Sequence, residues 1–412
     1  MDDVRNSIRS LPAAQQPSWQ ADAALPAITA ELTNRLPLIR PADVHALRAA
    51  LARAAAGDLH VIQAGDCAED PGECSAGYVT RKAGLVEALG GVLKMTARTP
   101  VLHAGRIAGQ FAKPRSRPME RVRGVDLPAY RGHMVNSPEP DPECRRPDPW
   151  RLVAGYEAAR EVMTHLGWLP PGDSPLSVSP LSGSPPGGPS PLAVPPPAVG
   201  APVWTSHEAL LLDYELPMVR PDDAGRPVLT STHWPWIGVR TGQLDGAHVA
   251  LLAAITNPVA CKIGPTRTVE EVVRLCARLD PNREPGRLTL IARMGVEAVA
   301  DRLPPLVEAV RRAGHPVVWL CDPMHGNTVD GPDGMKTRLL RTITREIWEF
   351  QAAVRSAGGV GAGLHLESTP EDVVECVPDE SALHRLGEKY TTFCDPRLNP
   401  RQSLETVAAW RP

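Results

Sequence analysis

Residues 316–325 read PVVWLCDPMH, an apolar run too short for a helix that stops in a cysteine, an aspartate and a histidine. A strand covered on both faces has this form, because it needs no alternation of apolar and polar residues. The form recurs along the chain in HVIQAGDC (60–67), PVLHAGR (100–106), PVWTSHE (202–208), WPWIGVR (234–240), PVACK (258–262), LTLIAR (288–293) and GLHLE (363–367). Between these runs lie segments of helical periodicity at 80–96, 268–279, 296–314 and 336–358. Strand alternating with helix predicts a parallel α/β sheet. About eight strands close a barrel, whereas an open doubly wound sheet would have fewer strands and a glycine-rich phosphate loop, which is missing here. The predicted fold is therefore a (β/α)8 TIM barrel, with chemistry at the carboxyl ends of its strands.

The length of 412 residues, 42% of them apolar, suits one large core. Residues 1–55 precede the first strand and read as a short helical arm, with Trp19 and the apolar positions of 43–55 packing on the barrel or on a partner subunit; 56–412 form the barrel. The stretch 169–202 is roughly one-third proline, with glycine and serine added, and lacks the donors and bulk for helix or strand. It reads as a mobile or extended connector inserted before the third strand. A net charge of −3 and no long basic run give no footprint for nucleic acid or a membrane surface and favour a small anionic substrate. The N-terminus resembles no signal peptide, and no apolar stretch is long enough to span a bilayer, so a cytoplasmic location is expected. Eight cysteines without framework spacing are expected to be mostly reduced thiols.

Cys67, His325, Glu367 and Asp395 each follow an apolar run or sit in a tight polar turn. A thiolate, an imidazole and two carboxylates suit a divalent transition ion such as Mn, Fe, Co or Zn better than Mg or Ca. Any one of them taken singly reads first as a packed cysteine or a capping carboxylate, and it is four at successive strand ends that point to a site. A second group is cationic: Arg106, Lys113, Arg115, Arg240, Lys262 and Arg293. Converging at one barrel mouth they would hold one or two phosphorylated substrates; taken singly they would be solvated or paired with Asp66, Glu69 or Asp245. In GRIAGQFAKPRS (105–116) the glycines would let backbone approach a ligand, while Lys113, Arg115 and Ser116 supply donors. His103, His165 and His315 read as core or surface histidines, and Cys144, Cys261 and Cys276 as packing thiols. Cys394 adjoins Asp395, and a reversible disulfide with Cys67 that displaces a metal is open to it.

Taken in order, QAGDCAED, GRIAGQFAKPRS, YRGHMVN, TSHEALLLDYE, WIGVRTGQLDGAH, NPVACKIGP, PGRLTLIARMG, CDPMHGNT, LHLEST and CDPRLNPRQSLE resemble the class II (plant-type) 3-deoxy-D-arabino-heptulosonate 7-phosphate (DAHP) synthases. The resemblance covers nearly the whole chain outside 169–202. It implies a (β/α)8 barrel that condenses phosphoenolpyruvate with erythrose 4-phosphate at a divalent metal, Mn2+ or Co2+ first and Fe2+ or Zn2+ next. By matching position it implies Cys67, His325, Glu367 and Asp395 as metal ligands and Arg106, Lys262 and Arg293 as phosphoenolpyruvate contacts, with Arg240 lining the same pocket. Lys113, Pro114, Arg115 and Ser116 match the motif that receives the aldehyde phosphate. Arg106 and Lys113 are the expected catalytic residues, Lys113 as a proton donor if neighbouring arginines depress its pKa. A homo-oligomer, a dimer before others, is the expected assembly.

The chain also departs from the family pattern. Val239 and Gly242 flank Arg240-Thr241 where an acid and a base are usual, Ala64 replaces a glycine, and Val377, Pro378 and Asp379 replace glycines. The Pro-rich connector stands where regulated members carry helices that help form aromatic amino acid sites. Feedback inhibition is therefore not expected, and the short form resembles members serving secondary metabolism. Two other functions stay open: the same chemistry on another acceptor, such as an amino sugar phosphate imine in an aminoshikimate-type pathway, and a non-catalytic regulatory homologue that offers its Pro-rich segment as a polyproline ligand.

Overall fold

In the computed structural model, which describes residues 1–19, 23–122, 124–170, 202–331 and 334–411, the apolar runs form eight parallel strands. They are β1 (His60–Gly65), β2 (Val101–Arg106), β3 (Trp204–Thr205), β4 (Trp236–Ile237), β5 (Val259–Ile263), β6 (Leu288–Ala292), β7 (Val318–Cys321) and β8 (Gly361–Glu367). Their spatial order is β3-β2-β1-β8-β7-β6-β5-β4. The ring closes where Glu208, just past β3, bridges Trp236 in β4, and the Trp236 N–H donates to the His207 carbonyl at 3.0 Å. That is a (β/α)8 barrel.

Alternation along the strands explains why the chemistry collects at one end. Leu102, Ala104 and Arg106 share one face of β2; Ala260 and Lys262 share one of β5; Val318 and Leu320 of β7 lead to Asp322, and Ile291 of β6 leads to Arg293. Each row begins apolar and ends polar. The apolar members form one buried cluster with Val61, Trp234, Trp236 and Ala362 inside the barrel. Residues of opposite parity, such as Ile62, Ala64, Leu288 and Leu290, join a larger cluster between the barrel and its helices.

Helices follow each strand in turn: Ala76–Ala97, Trp150–His165, Leu212–Glu215, Ala247–Ala254, Val269–Leu279, Val299–Arg312, Leu340–Ser356 and Pro400–Ala408. Their starts carry local signals. Thr268 caps Val269–Leu279 by accepting from the Glu271 N–H at 3.2 Å, while Glu271 accepts from Thr268 at 2.9 Å. The helix after β3 is a single turn. No described helix is long and apolar enough to cross a membrane.

Three helices precede β1: Asp2–Arg9, Leu25–Asn34 and Pro41–Ala56. Leu47, Leu51 and Ala54 of the third join the barrel-interior cluster, so this helix stoppers the amino end of the barrel. Trp19 is buried and donates to Asp213 at 2.9 Å.

Some expectations need correction. The periodic run at 336–358 is helical only from Leu340; Lys336–Arg338 instead pairs antiparallel with Thr328–Asp330, because Thr337 and Arg338 are buried by contacts far along the chain. Cys144 is exposed and does not pack: Asp141 accepts from the Glu143 and Cys144 N–H groups, and the side chain of that turn faces out. The connector expected at 169–202 lies outside the described residues except for 169–170 and 202.

Candidate active site

Four strand-end or loop residues meet at the carboxyl end of the barrel. Ligand atoms of Cys67, Glu367 and Asp395 lie within 4.8 Å of one another, and His325 Nε2 lies 2.9 Å from Glu367 Oε1. The widely separated residues expected to bind metal are thus brought together. Cys67 follows β1, His325 follows β7, Glu367 ends β8, and Asp395 comes from the loop before the last helix.

Lys113 is threaded into this cluster. Its Nζ lies 2.6 Å from Asp395 Oδ2 and 3.5 Å from Glu367 Oε1, and it donates to the Cys67 sulfur. Burial works against the ammonium, but Asp395, Cys67 and Glu367 outweigh it and hold the Lys113 pKa well above its usual value. This corrects the expectation of a depressed, proton-donating Lys113: its close neighbours are anionic. Burial would likewise raise the Glu367 carboxyl, but His325, Lys113, Arg338 and Arg106 hold it well below the carboxylate range. Burial pushes the Cys67 thiol well up.

The donor set fits a divalent transition ion. His325 Nδ1 lies 2.8 Å from Asp322 Oδ2, so a proton on Nδ1 leaves the Nε2 lone pair facing the Glu367 oxygen. Burial lowers the His325 pKa, which favours the neutral ring a metal needs. Two lone pairs at 2.9 Å beside a thiol and a second carboxylate call for a cation among them.

The expected anion-binding residues surround the same cavity, whose volume is about 680 Å³. Arg106 is buried: Nε donates to the Asp66 carbonyl at 2.9 Å, Nη2 to Glu367 at 3.1 Å, and Nη1 to His365 Nε2 at 2.8 Å. His365 in turn meets Gln63 at 2.6 Å, and Gln63 donates to Ser206 at 2.7 Å, which fixes the ring. Lys262 lies 2.9 Å from Asp322 Oδ2, and burial lowers its pKa to about 8. Arg293 donates to the His325 carbonyl. Further out, Lys113, Pro114, Arg115 and Ser116 line one wall, Arg240 donates to Ser116, and Arg115 pairs with Glu120.

None of the six cations takes Asp66, Glu69 or Asp245 as its acid partner. Asp66 is held by Lys82 at 2.7 Å and Arg397 at 2.8 Å, and Glu69 accepts from the Ala108, Gly109 and Gln110 N–H groups. The glycines of 105–116 are required by packing: a Cβ on Gly105 would lie 2.7 Å from Ile107 Cδ1, and one on Gly109, at φ +149°, 2.1 Å from His207 Nδ1. His103, His165 and His315 stay outside the cavity, and Cys261 and Cys276 are buried.

Residues that sequence reading passed over complete the site. Asp322 stands three residues before His325, and His365 shares a strand face with Glu367; both spacings were available signals. Glu208, half-buried, faces Lys262, Lys113, Arg106 and Arg240, and desolvation raises its carboxyl. Arg338, wholly buried, donates to Glu367 Oε2 at 2.8 Å, and no local signal marks it.

A closed barrel whose mouth joins a metal-capable centre to two shells of cations defines an enzyme acting on small phosphorylated or carboxylated substrates. The profile of the class-II DAHP synthetase family matches residues 3–173 and 198–409, and the chain belongs to that family. It is 54% identical over 412 residues to a probable phospho-2-dehydro-3-deoxyheptonate aldolase of Pseudomonas fluorescens, covering 100% of this chain and 98% of that one. Phospho-2-dehydro-3-deoxyheptonate aldolases of Streptomyces coelicolor and Mycolicibacterium smegmatis are each 39% identical. They cover 97% and 98% of this chain and 95% and 94% of their own.

Proposed function

We propose that this enzyme condenses phosphoenolpyruvate with erythrose 4-phosphate to give 3-deoxy-D-arabino-heptulosonate 7-phosphate and phosphate, the first step of the shikimate pathway. The observation that carries this reading is the convergence of Cys67, His325, Glu367 and Asp395 with Arg106, Lys262 and Arg293 in one cavity. Cys67, His325, Glu367 and Asp395 would hold a divalent ion, which would supply Lewis-acid polarisation of the aldehyde oxygen. Borderline-soft ions, Mn2+ or Co2+ before Fe2+ or Zn2+, suit the thiolate and imidazole.

The chain's own residues orient the rest. Arg106, Lys262 and Arg293 hold the carboxylate and phosphate of phosphoenolpyruvate deep in the cavity, and Arg115 and Ser116 receive the acceptor's phosphate at the mouth; Arg240, expected among the phosphoenolpyruvate contacts, is assigned to the acceptor's phosphate instead because it donates to Ser116. Lys113, between the two groups, keeps its proton beside the developing alkoxide. A carbon–carbon bond forms between the enol carbon and the aldehyde carbon, water adds to the resulting cationic carbon, the proton that the water releases neutralises the alkoxide, and the tetrahedral carbon expels phosphate to leave the keto group. Much of the acceleration is positioning and electrostatics.

Loss of phosphoenolpyruvate is followed with erythrose 4-phosphate before chelation, after it, and after add-back of each metal. Turnover that chelation abolishes and add-back restores is expected. No turnover with any acceptor would overturn the assignment. A second reading, the same chemistry on another acceptor, is favoured by Val239 at the cavity wall and by Gly242, whose carbonyl holds Arg267 at 2.7 Å. A panel of aldose and amino sugar phosphates separates the two. Freedom from inhibition by Phe, Tyr or Trp, a role in secondary metabolism and a homodimer belong to the same proposal.

A further inference from the structure

Glu367 and Asp395 each turn one carboxylate oxygen into the cluster and give the other to a cation outside it. Glu367 Oε1 lies 2.9 Å from His325, 3.1 Å from Arg106 and 3.5 Å from Lys113, while Oε2 accepts from Arg338 Nη1 at 2.8 Å. Asp395 repeats the arrangement. Its Oδ2 lies 2.6 Å from Lys113 and 3.9 Å from the Cys67 sulfur, and its Oδ1 lies 2.9 Å from Lys336.

Both outer cations come from one short strand. Lys336 and Arg338 stand two residues apart in Lys336–Arg338 and so share a face of it. Thr337, between them, points the other way and anchors the strand by donating to the Glu375 carbonyl at 2.9 Å. Arg338 is fixed further by the Pro396 carbonyl and by Thr328 Oγ1 at 3.0 Å.

We propose that this strand sets the denticity of the metal site, with Arg338 and Lys336 as positioning residues that commit Glu367 and Asp395 to one oxygen each. The inference rests on the metal-site reading above. A free carboxylate can ligate a cation through one oxygen or two. A charge-assisted hydrogen bond withdraws the second oxygen and drains electron density from the first. Cys67, His325 and two single oxygens make four protein ligands, and a catalytic ion needs positions left over for substrate oxygen. Chelation by both carboxylates would fill two more.

The sign of the effect separates this role from a merely structural one. A partner that merely orients a ligand strengthens metal binding, and removing it weakens binding. Arg338 and Lys336 also place positive charge beside the ion and hold back one oxygen each, so on this proposal their removal strengthens binding instead. Apo protein is titrated with Co2+ and followed by its thiolate-to-metal charge-transfer absorption. Arg338→Met should bind Co2+ about tenfold or more tightly than wild type, because a neighbouring positive charge is gone and an oxygen is freed. Its kcat should fall while KM for phosphoenolpyruvate holds. Lys336→Met should shift the same way by less, since Lys336 is half-exposed. Arg338→Lys, which keeps the charge, should return towards wild type.

X-ray absorption of the Co2+-loaded wild type should lack the metal–carbon shell of a chelating carboxylate; that shell, if found, overturns the proposal. Weaker Co2+ binding by the Met variants overturns it as well. Should Arg338→Met not fold, Lys336→Met and the wild-type spectrum decide. If wild type gives no charge-transfer band, or Cys67→Ser keeps it, the metal-site reading falls and this inference with it. A proper band with weaker-binding Met variants sinks the denticity inference alone.

Discussion

Asp322 holds the ring of His325 from three residues away, with Oδ2 at 2.8 Å and Oδ1 at 3.0 Å from Nδ1. The same carboxylate accepts the His325 backbone N–H at 3.2 Å, so ring and backbone are fixed together. Asp322→Asn should keep the fold, yet lose about 10- to 100-fold in metal affinity or activity. Metal titration beside kcat measures it, and an unchanged affinity would count against the orienting role.

Glu346 lies beneath the loops that carry Arg293 and His325. It accepts the Gly295 N–H at 2.9 Å and bonds Asn327, whose Oδ1 accepts from the Val296 N–H at 3.0 Å. Burial raises its pKa from 4.5 to about 8. The folded state therefore keeps a proton that the unfolded chain has released, and stability falls as pH rises between those values, by at most about 1.4 kcal/mol per pH unit from this group. Glu346→Gln cannot ionise. Thermal unfolding from pH 5 to 8 should show the variant gaining on wild type as pH rises; a constant difference would mean that Glu346 is charged throughout.

The neighbouring Cys67 thiol, with help from Lys113 and Arg115, lowers the Cys394 pKa. Mild oxidation of metal-free protein should remove two titratable thiols and all activity, reversibly, and bound metal should protect. In Cys394→Ser the paired loss should disappear. Peptide mapping that places the lost thiols elsewhere would refute the pairing.

Gly109 sits where a Cβ would meet His207 Nδ1 at 2.1 Å, on a backbone with φ +149°. Gly109→Ala should cost about 3 kcal/mol from strain and overpacking together. The displaced segment carries Lys113 to Ser116, so KM for the acceptor should rise more than KM for phosphoenolpyruvate. Denaturant melts and steady-state kinetics test the two halves separately.

How far the sequence carried the reading follows the physics of each element. Strands β5 to β8 were legible because apolar runs bounded by turn residues have few alternatives, and the polar residue ending each run marked the chemical end. Closure was legible from the count of eight runs, but not how it is made, since β3 and β4 have only two residues each and join through the bridge from Glu208. Lys336–Arg338 was absorbed into a helical pattern because its strand state depends on a partner at Thr328–Asp330 and on burial against Glu367. Lys113 was misjudged for a related reason: adjacent arginines in sequence suggested repulsion, whereas Asp395 and Glu367 arrive from the far end of the chain. Spacing exposes local electrostatics only.

The helix Pro41–Ala56, seated on the amino end of the barrel, has a kinetic consequence. With that end filled by Leu47, Leu51 and Ala54, reactants and products share one doorway. Arg106 and Lys262 lie buried at its inner end, and Arg240 stands exposed at the outer. On the proposed assignment the three-carbon acid is expected to bind before the sugar phosphate that would block its retreat, and initial-velocity and product-inhibition patterns should show an ordered steady state.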